Sequence, residues 1–360
     1  MNAVRITALA RLLMRQPAAP YHEDATRAAA ERICDEHDLA HERDRFGNLL
    51  ITLRTATRRR PFVLAAHLDH PGFEIIATLA PGRWRARFLG GVPERYFQPG
   101  VPLRLMPGEI PAVLGARVGG NEELEFEITT TTATDVMPAF AVWELPDFAL
   151  RRGRIHGRVC DDLIGCAAIL ATLIELKESS ARVHVIGVLA RAEEVGFHGA
   201  LALAASKRLP AASLIVSLET SREMPPVKMG RGVIVRVGDR ASVFDSDATR
   251  FLCESAAALA AREPDFQFQR ALMSGGTCEA TAYQEFGYQS AGVCVALGNY
   301  HNCGAANKIA AEFVSVSDAL GMARVLAEAA RQMENYPRLV GKLPARLKTY
   351  LREARQRLKP

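Results

Sequence analysis

Four short stretches, far apart in the chain, each run from an apolar strand-like segment into a cluster of carboxylate or imidazole side chains, and they constrain the fold more than any other feature. They are FVLAAHLDH from Phe62 to His70, RVCDDLIG from Arg158 to Gly165, VLARAEEVGFHGA from Val188 to Ala200 and VALGNYHN from Val295 to Asn302. In each, the charged residues fall where a β-strand would end. An open α/β sheet gathers its ligand site at the carboxyl ends of its strands, so residues this distant in sequence can meet there. His, Asp, Glu and His converging on one point predict a metal site.

The surrounding chain is of the kind that builds such a sheet. Its 360 residues are enough for a large core and more than one domain, and with 49% hydrophobic residues but no apolar run near 18 it reads as soluble, without a membrane span. Arg5, Arg11 and Arg15 interrupt the apolar positions of the N-terminal stretch, which therefore lacks the continuous apolar core of a secretory signal and reads as an ordinary first helix. Seven scattered cysteines without a CxxC pair predict reduced thiols, a cytoplasmic protein and no cysteine zinc site. The net charge of +5 is uneven: from Arg338 to Pro360 there are eight Lys or Arg and one Glu, 8 − 1 = +7, leaving 5 − 7 = −2 for the rest. That tail reads as a solvated amphipathic helix, and no nucleic-acid or membrane partner is expected.

Along the chain, helical and strand-like segments alternate, with one interruption. Between Gly72 and Pro146 the pattern becomes short β-type runs (FEIIATL, RWRARFL, VPLRLM, PAVLGARV, LEFEITTTTAT, FAVWEL) separated by Pro-Gly and Gly-Gly turns. Closely spaced strands without a helical period predict a small barrel or sandwich. The expected organisation is a discontinuous α/β domain over 1–71 and 147–337, a β-barrel inserted at 72–146, and a basic tail at 338–360. After the insert, DDLIGCAAILATLIELKES, RVHVIGVLA, GALALAASKR and SLIVSL predict a sheet covered by helices on both faces. Ser315 and Asp318 have capping-box-like spacing before a long helix.

Each polar cluster also has a plain structural explanation, and only their combination points to a metal site. His67 and Asp69 are two apart and share a face of an extended strand end. Asp69 can therefore orient an imidazole that binds metal through its other nitrogen, while His70 points away. Asp161 and Asp162 precede a helix that needs only one cap, so Asp161 is a candidate to bridge two ions through its two oxygens, with Asp162 capping the helix or supporting the ligands. Glu193 and Glu194 diverge, so that one can coordinate metal while the other stands over a bound water. Glu219 ends SLIVSL and His301 follows VCVALGNY. These residues offer only nitrogen and oxygen donors, which suits zinc, cobalt or manganese.

The order HxD, β-insert, DD before a small-residue helix, EEVGxxGA, an acid after the next strand, SGGT and a final YH resembles the glutamyl aminopeptidase family of dinuclear metallopeptidases, which includes the tetrahedral aminopeptidases. The likeness runs from DRFGNL at Asp44 through RFLGGVPERYFQPGVPLRL to His301. It implies a phosphorylase/hydrolase-like α/β domain with a mixed sheet, an inserted barrel used in homo-oligomer assembly, and two divalent ions per chain, zinc foremost. It further implies that His67, Asp161, Glu194, Glu219 and His301 bind metal, that Asp69 orients His67, and that Glu193 is the general base. Three features depart from the family pattern. Glu219 stands where Asp is usual, Asn299-Tyr300-His301-Asn302 replaces Arg-Tyr-x-His-Ser, and Gly276-Thr277-Cys278-Glu279-Ala280 replaces Gly-Thr-Asp-Ala.

The expected activity is metal-assisted removal of N-terminal residues from peptides. The alternative on the same scaffold is hydrolysis of N-acyl or other small amides, which needs no free amino terminus. A glycoside hydrolase using Glu193 and Glu194 would leave both histidines without a role, and a noncatalytic scaffold would have no use for a complete ligand set.

Overall fold

FVLAAH is buried at every position, as are the last six residues of HVIGVLA and the first seven of LIVSLETSR. Runs that bury both faces belong in the middle of a parallel sheet, and the computed structural model places them there. It describes residues 1–119, 123–130, 132, 137–339 and 345–358.

In chain order, helices α1 (Ala3–Met14) and α2 (Asp24–Glu36) lead to the hairpin β1 (Ala40–Arg43) and β2 (Leu49–Arg54), then to β3 (Phe62–His67). Six strands follow: β4 (Gly72–Ala80), β5 (Arg83–Leu89), β6 (Pro102–Met106), β7 (Ile110–Arg117), β8 (Glu125–Thr129) and β9 (Phe140–Trp143). The chain returns through β10 (Ala149–Arg151) and β11 (Arg154–Gly157) to α3 (Leu163–Glu178), β12 (His184–Ala190), α4 (His198–Ala205), β13 (Leu214–Arg222) and β14 (Val233–Gly238). It continues through α5 (Ser246–Arg262), β15 (Phe268–Leu272), α6 (Glu279–Glu285), β16 (Gln289–Gly298), β17 (Glu312–Ser315) and α7 (Val316–Gln332), and ends in α8 (Tyr336–Leu339) and α9 (Ala345–Arg357).

The main sheet has the order β1-β2-β12-β3-β13-β16-β17-β11-β10, with β14 on β16 and β15 on β14. Its centre, β12, β3, β13 and β16, is parallel, and Ala190 of β12 lies beside His67 of β3. Helix α3 buries every residue from Leu163 to Ile174, as a helix apolar all round must. Together with α1, α5 and α7 it covers one face of the sheet, while Leu203 and Ala204 of α4 and Tyr283 of α6 cover the other against Val63 and Val188. The expected mixed sheet between helices, with a small barrel, is the fold observed.

The barrel closes in the order β4-β5-β8-β7-β6-β9, β9 pairing back onto β4. Aromatic rings fill it: Phe73 meets Trp143 and Phe88 edge-on at 5.0 Å between centroids, and Phe97 stacks on Phe126 at 4.7 Å. Closure leaves the described strands of this ladder without an unpaired edge. Within the predicted run LEFEITTTTAT, residues 131, 133 and 134 lie outside the described residues.

Two further readings resolve locally. Asp318 does not complete a capping box with Ser315, because its carboxylate accepts from the main-chain N–H groups of Gly230 and Gly232 at 2.6 and 2.9 Å. The tail is helical over α9, with Leu347, Tyr350 and Leu351 exposed, while residues 340–344 and 359–360 lie outside the described residues. Among the described residues no helix is long and apolar enough to cross a membrane. All seven cysteines are free.

Candidate metal centre

The parallel strands deliver their polar ends to one place. His67 is the last residue of β3, Glu193 and Glu194 follow β12, Glu219 lies within β13, and His301 follows β16. Asp161 enters from the link between β11 and α3. Three groups of ligand atoms lie within 4.8 Å of one another: His67, Asp161 and Glu219; Asp161, Glu194 and His301; and His67, Glu193 and Glu194. Asp161 stands between the first two, with Oδ1 3.6 Å from His67 Nε2 and Oδ2 3.7 Å from His301 Nε2. All five predicted ligands and Glu193 thus come together in one largely buried cluster.

Both imidazoles are held the same way. His67 Nδ1 donates to the main-chain carbonyl of Asp69 at 3.1 Å, and His301 Nδ1 donates to that of Gly91, in the loop after β5, at 2.7 Å. Carbonyls only accept, so these bonds fix the tautomer and leave each Nε2 free to face the cluster, the usual arrangement of a ligand histidine. The barrel, through Gly91, therefore orients one of the two rings. Asp69 acts differently from the sequence expectation. Its carboxylate is 3.6 Å from the His67 ring and accepts instead from the N–H groups of Glu193 and Glu194, at 3.0 and 3.1 Å. It pins the turn that carries the glutamate pair.

Asp162 caps α3, accepting from the Gly165 N–H at 3.1 Å. A side chain at position 165 would approach the Asp162 carboxylate to 2.2 Å, which accounts for the glycine. His70 has no free nitrogen, since Nδ1 donates to the Asp161 carbonyl and Nε2 meets Asn302 Oδ1, each at 2.9 Å. Asn302, one of the departures from the family pattern, therefore braces the loop bearing Asp161.

The donor set fits a pair of divalent cations. Asp161 Oδ1, Glu194 Oε1 and Glu219 Oε1 are buried without a hydrogen-bond partner, a costly state unless something else binds them. Glu194 Oε1 lies 3.2 Å from His301 Nε2 but not in hydrogen-bond geometry. The electrostatics agree. Burial pushes the Glu193 carboxyl well up, and burial with the nearby Asp161 raises Glu219 to about 8. Burial opposes charge on His301, yet Glu194 and Asp161 outweigh it and raise the ring to about 9. Asp161, Glu193, Glu194 and Glu219 would carry −4 when ionised, which two divalent ions, 2 × (+2), balance.

Sequence reasoning missed Glu312, the first residue of β17. Its Oε2 accepts from the N–H groups of Cys160 and Asp161 at 2.8 and 3.0 Å, and its Oε1 from that of His301 at 2.8 Å. One buried carboxylate thus ties two candidate ligands together. Its only sequence signal is an acid opening the apolar run EFVS, which is too common to single out.

Comparison with known proteins places this geometry in a family. A relative from Acetivibrio thermocellus, provisionally named an aminopeptidase, is 23% identical over 228 residues, covering 59% of this chain and 67% of its own. The solved TET aminopeptidase of a marine sediment archaeon of the Thaumarchaeota superposes with a TM-score of 0.77 at 18% identity, covering 92% of this chain and 99% of its own. The Pyrococcus horikoshii TET1 peptidase, described as assembling into a tetrahedron or a large octahedral shell, gives 0.75 at 19% identity over 90% and 99%. At these identities the solved structures establish the fold. The sequence model of the M42 glutamyl aminopeptidase family matches residues 130–312, about half of the chain, and the chain belongs to that family of peptidase hydrolases.

Proposed function

We propose that the protein is an aminopeptidase dependent on two divalent ions, with Asp161 bridging them, His67 and Glu219 completing one site, and Glu194 and His301 the other. The observation that carries this reading is the position of Asp161, whose two oxygens face two imidazoles oriented by main-chain carbonyls. Nitrogen and oxygen donors favour zinc, with cobalt or manganese as alternatives. When bound, such ions supply Lewis-acid polarisation of a carbonyl and an acidified water.

The chain's own residues supply the rest. Glu193, buried beside His67 with Oε2 3.9 Å from its Nε2, takes the proton from the attacking water and delivers it to the departing amine nitrogen as the C–N bond breaks. Asp69 holds the Glu193–Glu194 turn in place for that transfer, and a free substrate amino group would have the second ion to bind, a contact that a blocked one would lack. Metal analysis with chelation and restoration tests the reading. Up to two ions per chain and a loss of peptide hydrolysis on chelation are expected, whereas activity surviving exhaustive metal removal contradicts it. Equal turnover of free and N-acylated substrates would redirect it to amide hydrolysis without a terminal requirement.

The inserted barrel at 72–146 is proposed as the element of homo-oligomer assembly, supported by the assemblies described for the P. horikoshii relative. Light scattering should show that replacing the barrel by a short linker reduces the assembly, while truncation at Tyr336 does not. Activity is the wrong readout there, because the replacement also removes the Gly91 contact to His301.

A further inference from the structure

The segment ahead of α2 is wedged between the barrel and the turn that carries Glu193 and Glu194. On the barrel side, the His22 ring stacks on Phe140 of β9 at 4.9 Å between centroids, and a side chain at Gly72, the first residue of β4, would come within 2.8 Å of the Ala19 methyl. On the other side stands Glu23. It occupies the N-cap position of α2 but makes no capping hydrogen bond to that helix. Its fully buried carboxylate is turned to the glutamate turn instead: Oε1 accepts from the Ala192 N–H at 3.0 Å and the Tyr21 N–H at 2.8 Å, and Oε2 accepts from Arg191 Nε at 2.7 Å.

The turn needs such a hold. Ala192 has a φ of +52°, in the left-handed region that a residue with a Cβ rarely enters, and a conformation of that kind persists only where its surroundings impose it. Two buried carboxylates do so here. They take three successive N–H groups, that of Ala192 on Glu23 and those of Glu193 and Glu194 on Asp69. Asp69 comes from the loop after β3, whereas Glu23 lies 169 residues upstream of the alanine it holds. We propose that Glu23 is a positioning residue for the general base: by holding the Ala192 N–H it fixes the direction in which the chain leaves β12, and with it the place of Glu193. This rests on the aminopeptidase reading above, with Glu193 as its base. It also ties the base to the barrel, because the same segment carries His22 against Phe140.

Glu23→Met removes both acceptor oxygens at similar size, whereas Glu23→Gln keeps one for the Ala192 N–H. With metal restored and rates expressed per metal-loaded molecule, kcat in Glu23→Met should fall about 10- to 100-fold, the scale of a reacting group displaced by about 1 Å. KM and metal content should stay at the parent's values, and Glu23→Gln should recover a large part of the lost kcat. A second readout needs no turnover. In metal-free wild-type protein the turn at residues 191–194 should be protected from hydrogen exchange, and Glu23→Met should lose that protection while β3 and β13 keep theirs. Parent-like kcat in Glu23→Met overturns the proposal, as does a loss of rate that vanishes when expressed per metal-loaded, folded molecule, which would make Glu23 purely structural. An unprotected turn in the wild-type protein overturns it even if neither variant folds. Failure of the underlying reading has a different signature: wild-type protein that hydrolyses no peptide, or Glu193→Gln that turns over normally, overturns that reading and this proposal with it.

Discussion

Glu219 on β13 and Glu127 on β8 are both strand glutamates, and their surroundings move them in opposite directions. Burial and Asp161 raise Glu219, whereas the Arg83 guanidinium, bonded to both oxygens of Glu127 at 2.8 Å, holds that carboxyl below its ordinary value. The contrast extends through both regions. In the barrel, Glu144 pairs with Arg104 and Glu125 with Arg85 and Arg87. In and around the candidate metal centre, Glu193, Glu219, Glu312 and Glu279 at the start of α6 are all raised, each chiefly by burial. An acid with its own arginine stabilises the fold it sits in. An acid buried without a cation costs stability, so the strand-end cluster makes sense as a site completed from outside the chain.

The sharpest way to break this comparison is Glu193→Gln, which keeps the shape and removes the proton acceptor. Turnover should fall about 10²- to 10⁴-fold with metal content unchanged, measured by kinetics beside metal analysis. Near-normal turnover would assign the base elsewhere, and loss of metal would make Glu193 a ligand.

Glu312→Gln probes a buried acid that is well bonded. An amide offers a single acceptor oxygen and sets a donor against main-chain N–H groups, so we expect a loss of about 1–3 kcal/mol in urea unfolding together with weaker metal retention. Unchanged stability and metal affinity would show that the three hydrogen bonds do not position the site.

The next effect is on pH dependence. Glu219 and Glu312 are raised from 4.5 to about 8, so in the metal-free protein their cost is absent below 4.5 and complete above about 8. His301 is raised from 6.5 to about 9, so its stabilisation is present below 6.5 and lost by about 9. Both trends have one sign, because the folded state binds more protons than the unfolded one across this window. Metal-free protein should therefore melt progressively lower as pH rises from about 5 to 9, and saturating divalent cation should flatten that slope. A melting temperature that rises with pH would contradict the assignment.

The smallest effect belongs to the barrel. The Arg104 hydrogen bond depresses Glu144, so its contribution is present above the unfolded value of 4.5 and lost as pH falls through the folded one. Glu144 is nearly half exposed, so solvent screening keeps this contribution small. Glu144→Gln should lower the urea midpoint slightly at pH 7 and match the parent in acid. A gap that widens on acidification would mean the pair acts by packing instead of charge.

Local pattern settled a large part of this protein. Uniformly apolar runs ending in acids or histidines mark parallel strands, because a strand buried on both faces has nowhere to put a charge except its end. Short runs broken by Pro-Gly and Gly-Gly mark the barrel, because no helical period fits between the turns. The candidate ligands His67, Glu194, Glu219 and His301 were legible for the same reason, each closing such an apolar run, and Asp161 was legible as the spare acid before a helix that needs one cap. Three-dimensional packing alone decided how those ends are held. That Glu312 bonds main-chain groups of both Asp161 and His301, that the Gly91 carbonyl of the barrel aims the His301 ring, and that Asp69 supports the glutamate turn are contacts across many intervening residues. Most join a side chain to a main-chain group, and any residue type supplies the main-chain half, so no composition or spacing records it. Arg236 belongs with them. Its burial, with Nε lacking a hydrogen-bond partner among the described residues, depends on which strands flank β14, a matter of sheet order that the one-dimensional pattern does not contain.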